Sequence, residues 1–260
     1  MTYETIAYKE QDRIGVVTLN RPEKANALSR QMISELAGCL RRAEAAREAR
    51  VLVVRGAGRH FCAGHDLAEL RADPGAAAAT FEECSRLMLA LQAIPQPVIA
   101  QVHGTATAAG CQLVAACDLA VAVTGARFAT PGVRIGLFCS TPAVALSRAV
   151  ARKAALGMLF TGETVSAQEA REIGLVNRVV PAERLAEETM ALARRVAGAS
   201  LTVLGLGKRA FYTQAGRGDA EAYRLATEAM ARNAGLEVAA EGIDAFLQQR
   251  PPVWPDDRQG

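Results

Sequence analysis

The sequence has few aromatic residues and almost no net charge. Aromatic residues make up 5% of the 260 positions, and 30 basic residues nearly balance 27 acidic ones, which leaves a formal charge of +3. Because this charge is weak and scattered along the chain, the sequence favours neither a nucleic acid nor a membrane surface as partner. Any anion that the protein binds is expected to be small.

The sequence also lacks the residue spacings that are typical of metal sites and disulfide frameworks. The six cysteines follow no C-x-x-C spacing, and His60 and His103 have no acidic or cysteine partner at metal-ligand spacing. No apolar run approaches the roughly 20 residues that a membrane span needs. The N-terminal segment MTYETIAYKEQDR has no apolar stretch typical of a signal peptide. The sequence therefore predicts free thiols, no bound metal, a cytoplasmic location and structural roles for both histidines.

A repeated pattern of strand, loop and helix predicts an α/β fold. Half of the residues are hydrophobic, which suffices for one large domain or a domain with an appendage. Three short runs of apolar residues, each followed by a loop of small residues and a helix, lie at 51–54, 98–102 and 119–123. Such nearly continuous apolar strands indicate a sheet that is buried on both faces.

The flanking segments predict a hairpin at the start and helices at the end. The first 20 residues alternate between apolar and polar, as in a β-hairpin, and Ser29 is expected to cap the next helix. After Phe160 the pattern is mostly helical. We therefore divide the chain into a core, residues 1–198, and a helical C-terminal region, residues 199–260, which is expected to take part in oligomerisation.

Two loops between strands and helices are candidates for ligand contact. The loops 56–64 and 103–110 are rich in Gly and Ala, which lets a ligand approach the backbone, and the first turn of a helix offers free N–H groups to an anion. Two such loops suggest two donors for one oxygen, although tight turns alone would explain the composition. A nucleotide site is disfavoured, because Phe61 breaks the G-x-G-x-x-G pattern and Gly207-Lys208-Arg209 does not end a phosphate loop.

Several motifs, in unbroken order from about residue 10 to 255, carry a family resemblance. They read NRPEKANAL (20–28), GAGRHFCAGHDL (56–67), PVIA (97–100), AGCQL (109–113), CD (117–118), LFTG (159–162), GLVNRVV (174–180) and EGIDAFLQQR (241–250). Together they resemble the enoyl-CoA hydratase/isomerase (crotonase) family. The resemblance implies a ββα superhelical core with a helical C-terminal region, and a homotrimer or a hexamer built as a dimer of trimers. It also implies a coenzyme A thioester of fatty acid metabolism as substrate and no permanently bound cofactor.

The resemblance also implies which residues act on the thioester. The main-chain N–H groups of His65 and Ala109 would form the oxyanion hole, while Gln112 and Gly132 stand where hydratases of the family carry two glutamates. Hydration needs a base that takes a proton from water and an acid that delivers one to Cα. Gln112 can orient water but cannot hold its proton, and Gly132 has no side chain. Since positioned acid and base groups contribute about 10² to 10⁴ each, hydratase activity is expected to be weak or absent.

Several reactions and roles stay open at this point. Isomerisation, hydrolysis or another lyase step on an acyl-CoA would suit an enolate site without glutamates. A catalytically silent acyl-CoA-binding protein would also fit, as would a true hydratase with unusual acid and base groups.

Other side chains near the motifs are candidates for substitute chemistry. The His65 imidazole could act as a base, whereas Asp66 is expected to cap a helix. Cys139 precedes a helix, a setting that can lower a thiol pKa, but a small buried cysteine is the commoner outcome. Ser140 or Thr141 is expected to cap that helix.

The remaining candidates concern binding of the coenzyme and the acyl group. Lys24 and Arg59 could meet the phosphates or the adenine end of coenzyme A, or could be solvated surface charges. By motif position, the predicted substrate-binding set also contains Ala25, Ala63, Asp66, Leu67 and Phe138. Asp118, which ends one helix before a buried strand, is expected to be structural.

Overall fold

The computed structural model describes residues 3–257, and two β-sheets organise this part of the chain. The strands, in chain order, are β1 (Ile6–Gln11), β2 (Ile14–Leu19), β3 (Val51–Gly56), β4 (Val98–Val102), β5 (Thr105–Thr107), β6 (Leu119–Val123), β7 (Arg127–Ala129), β8 (Val165–Ser166) and β9 (Arg178–Val180). The larger sheet has the order β1-β2-β3-β4-β6-β9, and the smaller has the order β5-β7-β8.

The larger sheet begins with the predicted hairpin and continues with parallel strands. β1 and β2 pair antiparallel through Gln11 and Ile14. Asp12 and Arg13, between them, have φ angles of 53° and 62°, as a two-residue hairpin turn requires. From β2 to β9 every pair in this sheet is parallel. All five residues of β4 are buried, which confirms the sheet with both faces covered.

Helices surround the two sheets and form the C-terminal region. They are α1 (Arg30–Ala46), α2 (Leu67–Ala72), α3 (Ala77–Ala93), α4 (Ala109–Ala116), α5 (Ser140–Ala149), α6 (Arg152–Thr161), α7 (Ala167–Glu172), α8 (Leu185–Ala197), α9 (Leu201–Gln214), α10 (Asp219–Ala234) and α11 (Glu237–Leu247). None of the helices in residues 3–257 is long and apolar enough to cross a membrane.

Helix α1 shows how the local sequence dictates an element. The Ser29 side chain accepts a hydrogen bond from the Met32 N–H at 3.1 Å, which satisfies a first-turn donor as predicted. Met32, Ile33 and Leu36 lie on the face that enters the core and are at most 4% exposed. Burial of this apolar face, rather than helix propensity alone, holds α1 on the sheet.

Three features of the fold differ from the sequence prediction. The smaller sheet was not predicted, because its strands have only two or three residues each and β5 lies inside a segment of small residues. Helix α4 starts at Ala109, two residues earlier than the predicted start at Cys111. The 17-residue helix α3 follows the Ala-rich tract at 73–80, which was predicted only as a loop or a frayed helix start.

A buried ion pair connects the C-terminal region to the core. The Lys208 ammonium, on α9, lies 2.6 Å from the Asp118 carboxylate and also donates to the carbonyl oxygens of Leu91 and Gln96 at 2.6 and 2.8 Å. The Tyr212 hydroxyl donates to the same carboxylate at 2.8 Å. Asp118 is therefore structural, as predicted, and Lys208 joins α9 to the core.

Candidate active site

The loops that follow β3 and β4 are held together by hydrogen bonds. The Thr107 N–H donates to the Cys62 carbonyl at 2.9 Å, and the N–H groups of Phe61 and Cys62 donate to the Thr105 carbonyl at 3.0 and 3.1 Å. The Thr107 hydroxyl donates to the Ala63 carbonyl at 3.0 Å. Two loops far apart in sequence therefore behave as one support for the residues that follow them.

Two glycines allow these loops to touch. A Cβ atom on Gly64, whose φ is +97°, would lie 2.8 Å from the Ala108 Cβ and 3.1 Å from the Ala109 nitrogen. A Cβ atom on Gly110 would lie 2.1 Å from the Cys62 carbonyl oxygen. The residue after Gly64 is thereby brought beside the start of α4, which places His65 and Ala109 next to each other.

The N–H groups of His65 and Ala109 donate to no acceptor within the described part of the chain. Their neighbours are fixed: the Leu28 N–H donates to the Gly64 carbonyl at 2.7 Å, and the Ala108 N–H donates to the Ala129 carbonyl at 2.9 Å. Both His65 and Ala109 line a single cavity. Two unused main-chain donors on one cavity wall are an arrangement that can receive a developing oxyanion.

Ala108 has a strained backbone at the start of α4. Its φ and ψ angles are 50° and −119°, a conformation that costs a residue with a side chain about 1–3 kcal/mol. This conformation turns the chain from β5 directly into α4, with Ala109 as the first helical residue. Strain of this kind concentrates at functional sites, where the surrounding structure maintains it.

The cavity has a volume of about 480 Å³, within the range of small-molecule sites. It is lined by Ala63, His65, Leu67, Phe81, Ala108, Ala109, Pro131, Gly132, Ile135, Leu137, Phe138, Cys139, Ser140, Thr141 and Pro142. Among the described residues, the wall contains no Asp, Glu, Lys or Arg. The wall is therefore uncharged as long as His65 is neutral. An apolar group of substantial size fits such a wall.

Gly132 and Gln112, which by the resemblance stand where hydratases hold two glutamates, have different surroundings: Gly132 lies on the cavity wall and Gln112 does not. Gly132 lines the cavity, but a Cβ atom on it would lie 1.9 Å from the Leu137 carbonyl oxygen and 2.8 Å from the Cys139 sulfur. The site of the missing side chain is thus filled by the chain itself. Gln112 is 4% exposed, its Oε1 has no hydrogen-bond partner among the described residues, and it is not part of the cavity wall.

His65 is held in a neutral state by its surroundings. Burial lowers the pKa of its imidazole to about 4. The ring packs edge-on against Phe81, with 5.1 Å between ring centroids, and its Nε2 finds no partner in residues 3–257. A neutral imidazole beside the cavity can accept a proton only weakly at neutral pH.

At the start of α5, Cys139 is the buried cysteine that the sequence analysis favoured, whereas the predicted side-chain cap needs correction. Burial raises the pKa of the Cys139 thiol, so an activated thiolate is not expected there. Cys139 itself occupies the N-cap position, and no side chain caps the helix, which contradicts the predicted caps Ser140 and Thr141. Instead, both hydroxyl residues contribute to the cavity wall.

Asp66 acts as the predicted helix cap. Its carboxylate accepts from the N–H groups of Ala68 and Glu69 at 3.1 and 3.4 Å and lies 3.2 Å from the Arg21 guanidinium. It is not among the residues of the cavity wall, whereas the neighbouring Leu67 is. Asp66 therefore supports the loop rather than the ligand.

The candidates for coenzyme contact lie outside the cavity wall. Arg59 is on the loop that follows β3, and Lys24 is on the segment between β2 and α1. Lys24 and Arg59 are exposed, and neither makes an ion pair with any described residue. The Ala25 carbonyl accepts from the Ala63 N–H at 3.0 Å, which attaches the Lys24 segment to the cavity rim. Their contact with the phosphates of coenzyme A stays a prediction.

Both remaining histidines contact main-chain or amide groups of neighbouring segments. His103 Nε2 lies 2.8 Å from the Gly58 carbonyl oxygen, and burial lowers the pKa of His103, in keeping with a structural role. The His60 carbonyl accepts from the Asn26 amide at 2.8 Å. Across residues 3–257, no group of three His, Cys, Asp or Glu side chains could hold a metal ion.

Several wall residues were missed by the sequence analysis. Phe81 lies on α3, and Pro131, Ile135 and Leu137 lie on the turn that precedes α5. Apolar residues in loops have no periodicity to mark them. Only the fold shows that Ile135 and Leu137, although 62% and 44% exposed, line the same cavity as the two N–H donors.

The chain belongs to the enoyl-CoA hydratase/isomerase family. The family model matches residues 9–258. The chain is thus an enzyme of this family. The family resemblance and the fold class predicted from the motifs are confirmed.

Individual relatives support the same conclusion. Enoyl-CoA hydratase domain-containing protein 3 of Mus musculus is 47% identical over 248 residues, which are 95% of this chain and 83% of the relative. The crystal structure of the human protein of that name has a TM-score of 0.93 at 47% identity and covers 96% of this chain and 100% of its own. For an enoyl-CoA hydratase of Mycobacterium smegmatis the TM-score is 0.94 at 46% identity, with 96% and 99% covered.

Within the family, the segments 63–67, 106–114, 128–133 and 136–142 resemble enoyl-CoA hydratase domain-containing protein 3, and the resemblance of the chain to that protein is confirmed. The predicted cytoplasmic location is wrong by the same comparison, because the mouse, rat and human relatives are described as mitochondrial proteins. The trimeric or hexameric assembly, the division near residue 198 and the link to fatty acid metabolism stay predictions.

Proposed function

We propose that the protein binds an acyl-CoA thioester and stabilises its enolate with the N–H groups of His65 and Ala109. The observation that carries this proposal is the pair of unused main-chain donors on one wall of the apolar cavity. Fixed donors directed at an oxyanion contribute about 2.7–4 kcal/mol each to stabilisation of the transition state. Because both donors belong to the main chain, the side chains of His65 and Ala109 can vary without loss of the function.

The same proposal includes weak or absent hydration of enoyl thioesters. No carboxylate lines the cavity among the described residues, and the space for one at Gly132 is taken by the Leu137 carbonyl. The neutral His65 and the hydroxyls of Ser140 and Thr141 are poor replacements for a base and an acid that work together. The reaction therefore requires a substrate that needs little proton transfer from the protein.

Calorimetry with acetoacetyl-CoA and crotonyl-CoA tests this proposal, together with absorbance at the enoyl-thioester band. Acetoacetyl-CoA, which readily forms an enolate, should bind, whereas crotonyl-CoA should not be hydrated rapidly. Rapid hydration would contradict the assignment of Gln112 and Gly132. Binding without turnover of any acyl-CoA in a panel would favour the silent binder over the enzyme.

Removal of one N–H group gives a sharper test of the donors. Ala109 is the first residue of α4, so proline there removes no helical hydrogen bond. The residue before a proline is confined to the extended region, and Ala108 must therefore change its φ and ψ of 50° and −119°; thermal unfolding checks that the variant still folds. Ala109→Pro should therefore weaken acetoacetyl-CoA binding about tenfold or more, on the scale of a hydrogen bond to a charged group. Ala167→Pro, at the first residue of α7, is the matched control and should leave binding unchanged. Equal affinity in both variants would exclude the Ala109 donor.

A further inference from the structure

We propose that a second cavity, between helices α9 and α10, binds an alkyl chain that ends in a carboxylate or a phosphate. The α9/α10 cavity has a volume of about 580 Å³, within the range of small-molecule sites. It shares no wall residue with the candidate active site. The proposal therefore concerns a second ligand and does not depend on the enolate site.

The facing sides of the two helices form the α9/α10 cavity. Wall residues recur every three or four positions along α9 from Leu201 to Thr213 and along α10 from Leu225 to Arg232, as on one face of a helix. A Cβ atom on Gly205 would lie 2.5 Å from the Pro95 Cβ, so α9 lies directly against the segment that follows α3. Because α9 is held on the core in this way, one side of the cavity is formed before a ligand arrives.

Three arginines bring positive charge to this wall. Arg47, Arg209 and Arg232 line the cavity, their side chains are exposed, and none of them makes an ion pair with another residue of the described chain. The one acidic residue of the wall, Glu228, pairs instead with Arg224 at 2.6 Å. The wall therefore has an excess of positive charge that no carboxylate of the described chain neutralises.

The size of the cavity makes these charges act together. A cavity of this volume is roughly 8 Å wide, no more than the Debye length of about 8 Å at physiological ionic strength. Salt therefore screens the three guanidinium groups little from one another, and an anion between them would be attracted by all three. Guanidinium groups also match the geometry of carboxylates and phosphates, to which they donate two parallel hydrogen bonds.

The rest of the wall favours an aliphatic body for this anion. Leu206, Leu225 and Leu236 line the cavity, and among the described residues its wall has no aromatic ring on which a nucleotide base could stack. The start of α9 is already occupied, because the Thr202 N–H donates to the Asp256 carboxylate at 3.1 Å. The head group of the ligand is thus left to the arginines, and its alkyl chain to the leucines.

The α9/α10 cavity is far enough from the candidate active site for both to be filled at once. Phe81, near the start of α3, lines the active-site cavity, whereas Pro95, just after the end of α3, lines the α9/α10 cavity. At 1.5 Å per helical residue, these two positions are roughly 20 Å apart. A ligand in one cavity should therefore not displace a ligand from the other.

Calorimetry of the full chain with dodecanoate and with dodecyl phosphate, both below the concentration of micelle formation, tests the proposal. Dodecyltrimethylammonium, which has the same chain and the opposite charge, is the control ligand. At least one anion should bind, the tighter of the two identifies the head group, and the cation should not bind. Binding of neither anion, or equal binding of the cation, would overturn the proposal.

Charge variants locate the bound anion. Arg209→Gln combined with Arg232→Gln should weaken its binding about tenfold or more, as expected for lost hydrogen bonds to a charged group. Arg194→Gln combined with Arg195→Gln removes the same charge from the exposed surface of α8, outside the cavity wall, and should leave binding unchanged. Equal affinity in the two double variants, or displacement of the anion by acetoacetyl-CoA, would overturn the proposal.

The molecular mass in solution distinguishes a small ligand from a second copy of the chain as the occupant. Sedimentation should give the same mass for the unchanged protein and for the Arg209→Gln, Arg232→Gln variant, with thermal unfolding as the check that the variant is folded. A lower mass for the folded variant would show that these arginines join copies of the chain, and the proposal would be overturned. Binding of acetoacetyl-CoA should be the same in both proteins, so a failure of the enolate site would be seen separately.

Discussion

Replacement of Gly132 by alanine tests the finding that the main chain fills the position of a missing glutamate. The added Cβ would lie 1.9 Å from the Leu137 carbonyl oxygen and 2.8 Å from the Cys139 sulfur, whereas ordinary contacts begin at 3.4 Å. The obstacle at Leu137 is main chain and cannot rotate away. The turn must therefore move by more than 1 Å, and the Leu137 N–H, which donates to the Gly132 carbonyl at 2.9 Å, must move with it.

The expected cost follows from the size of this clash. Insertion of one methyl group into a closely packed site costs about 1–3 kcal/mol, and for a domain of this size each kcal/mol lowers Tm by about 2–4 °C. Gly132→Ala should therefore lower Tm by several degrees in a thermal unfolding experiment. The glycine has an ordinary φ angle, so lack of space and not backbone conformation is the cause.

A second glycine supplies the control for this prediction. Gly157, inside α6, has no atom within 4 Å of the place where a Cβ would stand. Gly157→Ala should stabilise the helix by about 0.5–1 kcal/mol. A Tm for Gly132→Ala equal to or above that of the unchanged protein would show that the turn at 132–139 is not packed as described.

The same clash bears on attempts to restore hydratase activity. From the motifs alone, Gln112→Glu combined with Gly132→Glu would be expected to return both glutamates. In the folded chain, a glutamate at residue 132 has to displace the Leu137 carbonyl first. We therefore expect the double variant to lose stability and to gain no crotonyl-CoA hydration, which the absorbance assay measures.

Three further predictions concern charges near the site and the C-terminal region. Burial lowers the pKa of His65 from 6.5 to about 4, so protons favour the unfolded chain and stability should fall as pH drops through this range; His65→Phe should flatten this part of the pH dependence in urea unfolding. Lys208→Met leaves the Asp118 carboxylate without its buried cation, and should lower the free energy of unfolding by about 3–5 kcal/mol; a loss below 1 kcal/mol would contradict this role. Asp66→Ala removes the cap of α2 and should cost about 1 kcal/mol, most of which Asp66→Asn should recover.

The sequence predicts those parts of the fold whose residues follow a regular pattern. The apolar runs of β3, β4 and β6 predict a buried parallel sheet. Ser29 predicts the start of α1 correctly, because it is the N-cap residue of that helix in the structure. The motifs indicate the family and the two loops of the candidate site. Each of these features is local, so that residue types and spacing within a short window suffice to indicate it.

The rest depends on contacts between segments that are distant in the chain. The turn at 132–139 closes on Gly132 because the Leu137 carbonyl lies against it, and no local pattern distinguishes this from an open loop. The same holds for α5, where Ser140 and Thr141 have the residue types of helix caps but line the cavity instead.

The donors of the candidate oxyanion hole are the features of the site that the residue types reveal least. They are peptide N–H groups, which every residue except proline possesses, so their identity is invisible in the residue types at 65 and 109. They differ from the adjacent main-chain groups in their hydrogen bonding: the Gly64 carbonyl and the Ala108 N–H are hydrogen-bonded within the chain, whereas the N–H groups of His65 and Ala109 are not, among the described residues. The geometry of a main-chain site therefore depends on the residues that allow the two loops to approach each other. A Cβ atom added to Gly64 or Gly110 would collide with the opposite loop, so these glycines determine the geometry more than the side chains of His65 and Ala109 do.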